Sequence, residues 1–201
     1  MVESTRSYPH VQYGYFHGRF QPFHFGHLYI VQTSLQEVDE LVIGISNPFR
    51  QPAKPENFIA QNPEACESLL NARKIENNPW SMWERCFMIR EGLRCEGIDL
   101  SRIIFMPNLS NTGIPALEAH PSKESMYVYI YGKDKHNKAS EQRYVTEGFK
   151  VKAITSKEFS HISSTKIRKL ISENKEWEPL VPKGTVDAIK YIEKFRHISL
   201  S

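Results

Sequence analysis

The sequence predicts an α/β protein built on a doubly wound parallel sheet, with helices on both faces. Three observations lead to this fold class: nearly continuous apolar runs of strand length, segments with helical spacing between them, and glycine- or proline-containing turns at the junctions. Strands that alternate with helices form parallel sheets, and such sheets bind ligands outside the carboxyl ends of their strands. The loops that follow strands are therefore where function is expected.

The first strand, helix and strand lie in residues 11–46. VQYGYF (11–16) is rich in β-forming residues, and GRFQPFHFG supplies a turn. The helix that follows carries an apolar stripe at helical spacing, formed by Leu28, Val31, Leu35 and Val38. ELVIGIS (40–46) is nearly continuous in apolar residues, which is typical of a strand buried on both faces. Together these segments predict a right-handed βαβ unit.

A long insertion or lid loop is predicted for residues 47–80, which contain five of the chain's 12 prolines among polar residues. SMWERCFMIREGL (81–93) then opens with Ser81 and Glu84 in capping-box spacing, and its apolar stripe predicts an amphipathic helix. Trp83, at the start of this helix, is interpreted as a core aromatic.

Three further strands and three further helices complete the pattern. The strands are RIIFMP (102–107), MYVYIYG (126–132) and FKVKAIT (149–155). The helices are KASEQRYVTEG, then TKIRKLISEN with Ser163 or Ser164 as its cap, and finally a C-terminal helix in residues 182–195. We expect a single domain over residues 1–201.

Composition limits the classes of function. The 201 residues are 40% hydrophobic and 24% charged with a net charge of +3, and no block of like charges indicates a nucleic-acid partner. Three cysteines without CxxC spacing fit neither a disulfide framework nor a zinc cage, and no stretch reaches the length of a membrane span. We expect a cytoplasmic protein without nucleic-acid or membrane partners, and a homo-oligomer is left open.

Two histidines, His24 and His27, lie at the turn into the first helix. A helix start offers unpaired N–H groups and the positive end of the helix dipole, while Gly18 and Gly26 let main chain approach a ligand. This combination indicates anion binding, to which imidazole N–H groups can contribute directed donors. One alternative is metal ligation, although no third and fourth ligand follow at suitable spacing. The other is packing or capping.

A second loop runs into a helix start at HISSTKIRKL (161–170). Its hydroxyl groups, free N–H groups and the guanidinium of Arg168 suit phosphate oxygens. The alternative is that Ser163 only caps the helix and that the basic residues are solvated. Two helix starts at one sheet edge together predict a polyphosphate site.

These segments resemble the motifs of the nucleotidyltransferase superfamily that carries HxGH near its first helix and ISSTxxR near its last, here HFGH (24–27) and ISSTKIR (162–168). GRFQPFHFGHL, DELVIGIS, NPWSMWER and WEPLVPKGTVDAIKYI look most like archaeal-type nicotinamide mononucleotide adenylyltransferases. The resemblance implies a Rossmann-like fold. It also implies transfer of a nucleoside monophosphate from a triphosphate to a phosphorylated acceptor with release of pyrophosphate, here from ATP to nicotinamide mononucleotide, giving NAD.

The resemblance further implies roles for individual residues. His24, His27 and Arg168 would be catalytic, with His27 steadying the charge on the pentavalent phosphorus. Mg²⁺ would be held by the triphosphate rather than by protein ligands. The nucleotide-binding residues would be Gly18, Arg19, Phe20, Gly26, Ser163, Ser164 and Thr165. The acceptor candidates, chosen from position alone, are Asn47, Trp80, Asn108, Lys133 and Asp134.

The acceptor side departs from the archaeal pattern. A long insertion precedes NNPWSMWER, and MPNLSNTGIPALEAHPS after the third strand lacks a tryptophan that archaeal-type members carry there. A cytidylyl- or adenylyltransferase acting on another phosphate or phosphonate acceptor is therefore an alternative. A non-catalytic nucleotide sensor is a second alternative, from a different class of protein.

Overall fold

A computed structural model describes residues 12–46, 74–108, 123–131 and 135–198. Its centre is a parallel sheet of five strands in the order β3-β2-β1-β4-β5. The strands are β1 (Tyr13–Gly18), β2 (Glu40–Ser46), β3 (Ile103–Asn108), β4 (Met126–Tyr131) and β5 (Lys150–Ile154). The predicted fold class is confirmed.

In the described ranges, five α-helices connect and cover these strands. They are α1 (Phe25–Ser34), α2 (Met82–Cys95), α3 (Lys135–Thr146), α4 (Ser164–Ser172) and α5 (Lys183–Ile198). The chain leaves the central strand β1 towards β2 on one side and adds β4 on the other, so the strand order reverses beside β1. A crevice outside the carboxyl ends of the strands is expected at this reversal. The HFGH turn follows β1 directly.

Two apolar layers hold the sheet between the helices. Alternate residues of a strand point to opposite faces of the sheet. On one face, Phe16 of β1 and Leu41 and Ile43 of β2 pack against side chains of α1 and α2. The other face packs Tyr15 and Val128 against Tyr144 of α3, among others. The predicted strand RIIFMP is less buried than its apolar sequence suggests, because β3 is an edge strand and Ile104 is 40% exposed.

Helix α2 begins as the sequence predicts. The hydroxyl of Ser81 accepts the N–H of Glu84 at 3.3 Å, and the Glu84 carboxylate accepts the N–H of Ser81 at 2.7 Å. These two bonds satisfy N–H groups that the first helical turn leaves without partners. Helix α5 packs on α2 so closely that a Cβ on Gly184 would lie 2.0 Å from the carbonyl oxygen of Glu91.

The interpretation of Trp83 as a core residue is wrong. Trp83 is 65% exposed and stacks on Phe87 one turn further along α2. The inward stripe of this helix starts at Met82, and the next residue is rotated by about 100° around the helix axis. Of these two neighbouring tryptophans, Trp80, just before the helix cap, is the buried one, with 5% exposed.

The insertion predicted at 47–80 lies outside the described residues up to residue 73, and the described part contains a short 3₁₀ turn, Ile75–Asn77. Among the helices within the described ranges, none is long and apolar enough to cross a membrane.

Candidate active site

The turn between β1 and α1 brings the histidine motif to the carboxyl edge of the sheet. Phe20 adopts a positive φ of 51°, and the Gln21–Pro22 peptide bond is cis. The chain then enters α1 with His24 as the N-cap residue in an extended conformation. Among the described residues, the N–H groups of Phe25 and Gly26 donate to no main-chain carbonyl outside the helix. They belong to the free donors that make a helix start suitable for anions.

The two imidazoles of the motif stack on each other. The ring centroids of His24 and His27 are 3.6 Å apart, and the ring planes differ by 21°. Nδ1 of His27 accepts the N–H of His24 at 3.3 Å, so a neutral His27 carries its proton on Nε2 and can donate it outwards. A Cβ on Gly26 would lie 3.1 Å from Nδ1 and Cε1 of His24, so glycine lets this ring lie over the first turn.

Both histidines are neutral at pH 7. Burial lowers the pKa of His24 to about 3, and His24 is only 4% exposed. Burial also lowers the pKa of His27 well below 6.5, and repulsion from His24 lowers it further. Desolvation disfavours the charged form of a base, which is the cause of both shifts. Each neutral imidazole has one N–H group that can donate a hydrogen bond, and the positive charge of the site comes from arginines.

The second motif docks on the same turn. Ser163 caps α4 and accepts the N–H of Lys166 at 3.2 Å. The hydroxyl of Ser164 donates to the carbonyl oxygen of Pro22 at 3.0 Å, and Nη1 of Arg168 donates to that of Gln21 at 2.7 Å. Residues 21 and 168 are 147 positions apart in the sequence. The structure thus brings the two helix starts together.

Three guanidinium groups create a positive field at this point. Burial lowers the pKa of Arg168 to about 10, and repulsion from Arg19 adds to the shift. Burial likewise lowers the pKa of Arg85 to about 10, where Arg19 is again one of the smaller contributors. Like charges are brought together at a cost, which an anionic ligand would offset.

Phe20, predicted as a nucleotide-binding residue, has its ring in the core. The ring is 1% exposed and meets the ring of His27 edge to face at a centroid distance of 4.9 Å. It therefore supports the orientation of His27. Gly18 precedes it at the end of β1, where a Cβ would lie 3.1 Å from the Phe20 ring.

The acceptor candidates are only partly described. Asn108, 3% exposed at the end of β3, donates from Nδ2 to the hydroxyl of Ser46 at 3.1 Å. Nδ1 of His17 lies 3.5 Å from the same hydroxyl, so a polar cluster spans the ends of β1, β2 and β3. The ring of Trp80 packs in the apolar cluster with α4 and α5 side chains. Asn47, Lys133 and Asp134 lie outside the described residues.

Sequence reasoning missed two buried polar residues, Gln21 and Arg85. The Gln21 side chain donates from Nε2 to the Trp80 carbonyl at 2.9 Å and accepts the Trp80 N–H at 3.1 Å. Arg85 is 1% exposed and donates to three main-chain carbonyl groups. The sequence could have predicted the burial of Arg85, because it lies three residues after Met82 and four before Ile89, on the apolar face of α2. Gln21 had no comparable signal.

Metal ligation by protein side chains finds no support in the described ranges, where no group of three or more His, Cys, Asp or Glu side chains is placed to hold an ion. What the described site does offer is N–H and O–H donors and guanidinium charge. Donors and charge of this kind bind phosphate groups directly.

Two helix starts with cationic and hydroxyl side chains meet beside the strand reversal of a parallel sheet, an arrangement that suits phosphate groups. The profile of the cytidylyltransferase-like family matches residues 15–170. The chain belongs to this family, and it is a nucleotidyltransferase.

Individual relatives point the same way. A nicotinamide-nucleotide adenylyltransferase of Pyrobaculum neutrophilum is 31% identical over 88% of this chain and 86% of its own length. A phosphonoformate cytidylyltransferase of Streptomyces viridochromogenes is 28% identical over 88% of this chain and 90% of its own length. The curated relatives therefore include both adenylyl and cytidylyl transferases.

A solved structure shares the fold. A bifunctional NMN adenylyltransferase/ADP ribose pyrophosphatase from Francisella tularensis has a TM-score of 0.63 at 20% identity, covering 91% of this chain. The chain spans about half of that protein, 50% of its length. A second structure of it, complexed with AMP and a manganese ion, has a TM-score of 0.60 at 16% identity and covers 94% of this chain and 56% of its own.

Proposed function

We propose that this chain transfers the adenylyl group of ATP to nicotinamide mononucleotide, forming NAD and releasing pyrophosphate. The observation that carries the nucleotide part is the pair of hydrogen bonds from Ser164 and Arg168 to the turn that leads into His24, because they direct two helix starts at one volume. The acceptor follows from the archaeal relative, whose name states nicotinamide-nucleotide adenylyl transfer.

The triphosphate would lie between the two helix starts. Main-chain N–H groups near Gly18 and Gly26, together with the Arg19 guanidinium, would bind it from the first motif. The start of α4 would contribute Ser163, Ser164 and Thr165 from the second. Arg168 already donates to Gln21, Asn77 and Thr165, and a guanidinium has five N–H groups, so donors are left for a phosphate oxygen.

The reaction needs positioning and charge stabilisation rather than a base. The attacking group is an acceptor phosphate that is ionised at pH 7, and it displaces pyrophosphate from the α-phosphorus of ATP. The Nε2–H of His27 would donate to the oxygen on which charge accumulates, and His24 would orient His27 through their stacked rings. Arg168 would neutralise charge on the leaving pyrophosphate.

Mg²⁺ is part of this proposal. The described site residues are imidazole, guanidinium and hydroxyl groups, which suit phosphate oxygens and are poor magnesium ligands. The ion would therefore be held by oxygens of the triphosphate, where it neutralises charge and orders the phosphate chain.

A second candidate is cytidylyl transfer to a phosphate or phosphonate acceptor. It is supported by the relative named phosphonoformate cytidylyltransferase. The cluster of His17, Ser46 and Asn108 also favours it, because a compact polar group at three strand ends suits a small anionic acceptor. Asn47, Lys133 and Asp134 stay candidates for acceptor binding from their positions in the sequence.

We further propose a single nucleotidyltransferase domain over residues 1–201 in a reducing, cytoplasmic setting, with small-molecule nucleotides as its partners. The free thiols of Cys86 and Cys95 support the redox assignment.

The test is a substrate panel. Each of the four nucleoside triphosphates, with Mg²⁺, is combined with nicotinamide mononucleotide, phosphonoformate or phosphocholine, and pyrophosphate release is measured. We expect ATP with nicotinamide mononucleotide to be the fastest pair and to yield NAD. Release with CTP and phosphonoformate alone would establish the second candidate, and no release from any pair beside an active control enzyme would contradict both.

A further inference from the structure

The turn formed by residues 19–22 carries the main chain of the first motif and is held from several sides. Arg168 and Ser164 bind its carbonyl groups at Gln21 and Pro22, on the side of α4. From the side of α2, Nη1 of Arg85 donates to the carbonyl oxygen of Arg19 at 2.9 Å. The position of Arg19 and of the histidines that follow therefore depends on groups outside the motif itself.

Arg85 also fixes the strand next to this turn. The same Nη1 donates to the carbonyl oxygen of Ser46, the last residue of β2, at 2.7 Å, and Nε donates to that of Ser81 at 3.2 Å. One buried guanidinium thus joins the end of β2, the chain leaving β1 and the first turn of α2. A planar group with donors in fixed directions suits such a junction, which a lysine of the same charge cannot reproduce.

Gln21 adds a second tie between the same elements. Its side chain, with none of its surface exposed, pairs with both main-chain groups of Trp80, immediately before the cap of α2. The N-terminal end of α2 is therefore attached to the turn twice.

We propose that Arg85 is a positioning residue for triphosphate binding, which holds the Arg19 carbonyl and the end of β2 so that the Arg19 side chain and the HFGH turn face the phosphates. It acts through the main chain and does not touch substrate. Loss of the Arg85 side chain removes the hydrogen bonds to the carbonyl oxygens of Arg19 and Ser46 and releases the turn, so affinity for the triphosphate falls. The inference rests on the proposed function for the identity of the nucleotide.

The test compares Arg85→Met and Arg85→Lys with wild type. Binding of MgATP is measured by calorimetry, so that no acceptor is needed, and kcat and KM are measured with the best pair of the substrate panel. We expect MgATP binding to weaken about tenfold in Arg85→Met and by a smaller factor in Arg85→Lys. KM for ATP should rise in both.

Met88→Ala is the matched control. Met88 lies on the same helix, is fully buried, and faces the cluster with α5 instead of the turn. Its truncation lowers stability through the cavity that it leaves, and we expect MgATP affinity to stay within twofold of wild type. Loss of affinity in Met88→Ala equal to that in Arg85→Met would overturn the proposal, because the effect would then follow stability alone.

If Arg85→Met does not fold, Arg85→Lys decides. Weaker MgATP binding by folded Arg85→Lys supports the proposal, and wild-type affinity and KM in that variant overturn it. Failure of the proposed function has a different signature: wild-type protein would bind neither MgATP nor MgCTP, whatever residue 85 is.

Discussion

At the scale of single residues, the candidate site contains two histidines that the protein keeps uncharged. Their rings are stacked and largely withdrawn from water, and burial lowers the pKa of both. A neutral imidazole whose Nδ1 accepts a hydrogen bond, as in His27, has one N–H donor on Nε2. Such a donor can stabilise an oxyanion without transferring its proton. Two buried bases beside each other also make the free energy of unfolding sensitive to acid.

The stability of the protein should therefore fall in mild acid. The pKa of His24 is about 3 in the folded protein and about 6.5 for a solvated histidine, as in the unfolded chain. Between these two pH values the unfolded chain therefore binds more protons than the folded protein. The stabilisation is complete above pH 6.5 and is lost as the pH falls towards 3, at up to about 1.4 kcal/mol per pH unit for each such histidine.

Urea unfolding between pH 7.5 and 4.5 measures this dependence. His24→Gln, which cannot titrate, should have a flatter profile than wild type. An equally steep profile in His24→Gln would contradict the role of this residue.

His27→Ala should lower kcat by about 10² to 10³, the cost of one lost donor to a developing oxyanion, while MgATP affinity changes by less than about tenfold. Steady-state kinetics and calorimetry separate the two quantities. The control is His161→Ala, an exposed histidine just before the second motif. Unchanged turnover in His27→Ala would remove the residue from the reaction.

At the scale of elements, the start of α4 is joined to a turn that precedes it by more than a hundred residues. From the sequence, either Ser163 or Ser164 could cap this helix. In the structure Ser163 is the cap, and the hydroxyl of Ser164 donates to the carbonyl oxygen of Pro22. Docking of the helix on this turn therefore also assembles the candidate site.

Ser164→Ala should weaken MgATP binding by about three- to tenfold and lower the free energy of unfolding by about 1 kcal/mol, because the Pro22 carbonyl loses its hydroxyl donor. Calorimetry and urea unfolding measure the two effects. Ser172→Ala, in the last turn of α4, removes an exposed hydroxyl that donates only locally to Lys169 and should change neither. Equal behaviour of the two variants would contradict the coupling.

Most elements were predictable because each is encoded locally. The bounds of β2 agree with the sequence prediction, and the capping box of α2 was readable from Ser81 and Glu84. Trp83 was predicted to be a core residue and is exposed, while its neighbour Trp80, named as an acceptor candidate, is buried; only tertiary packing distinguishes these two aromatic residues. The ties made by Gln21 are between distant segments, and no local pattern encodes them.

At the scale of the whole molecule, the candidate nucleotide site lies at the carboxyl edge of the parallel sheet, where several elements of the fold meet. Hydrogen bonds at the candidate site join β1, β2, α2 and α4, so binding of the proposed triphosphate there would be linked to the packing of these elements. A ligand that binds only the folded state stabilises it by mass action.

MgATP at about one hundred times its Kd should stabilise the protein by about 2.7 kcal/mol, which corresponds to a rise in Tm of roughly 5–10 °C for a chain of this size. Differential scanning fluorimetry with MgATP and MgCTP measures the shift. The nucleotide with the larger shift at equal concentration is the expected substrate. Absence of a shift with either nucleotide would contradict triphosphate binding.

The first turn of α2 reverses the usual order of hydropathy, with an indole outside and a guanidinium inside. In a saturation library selected for activity, position 83 should accept glutamate or lysine, while position 85 should reject leucine and tryptophan. Design tools that replace exposed aromatics and buried charges by rule would improve solubility at the first position and weaken nucleotide binding at the second.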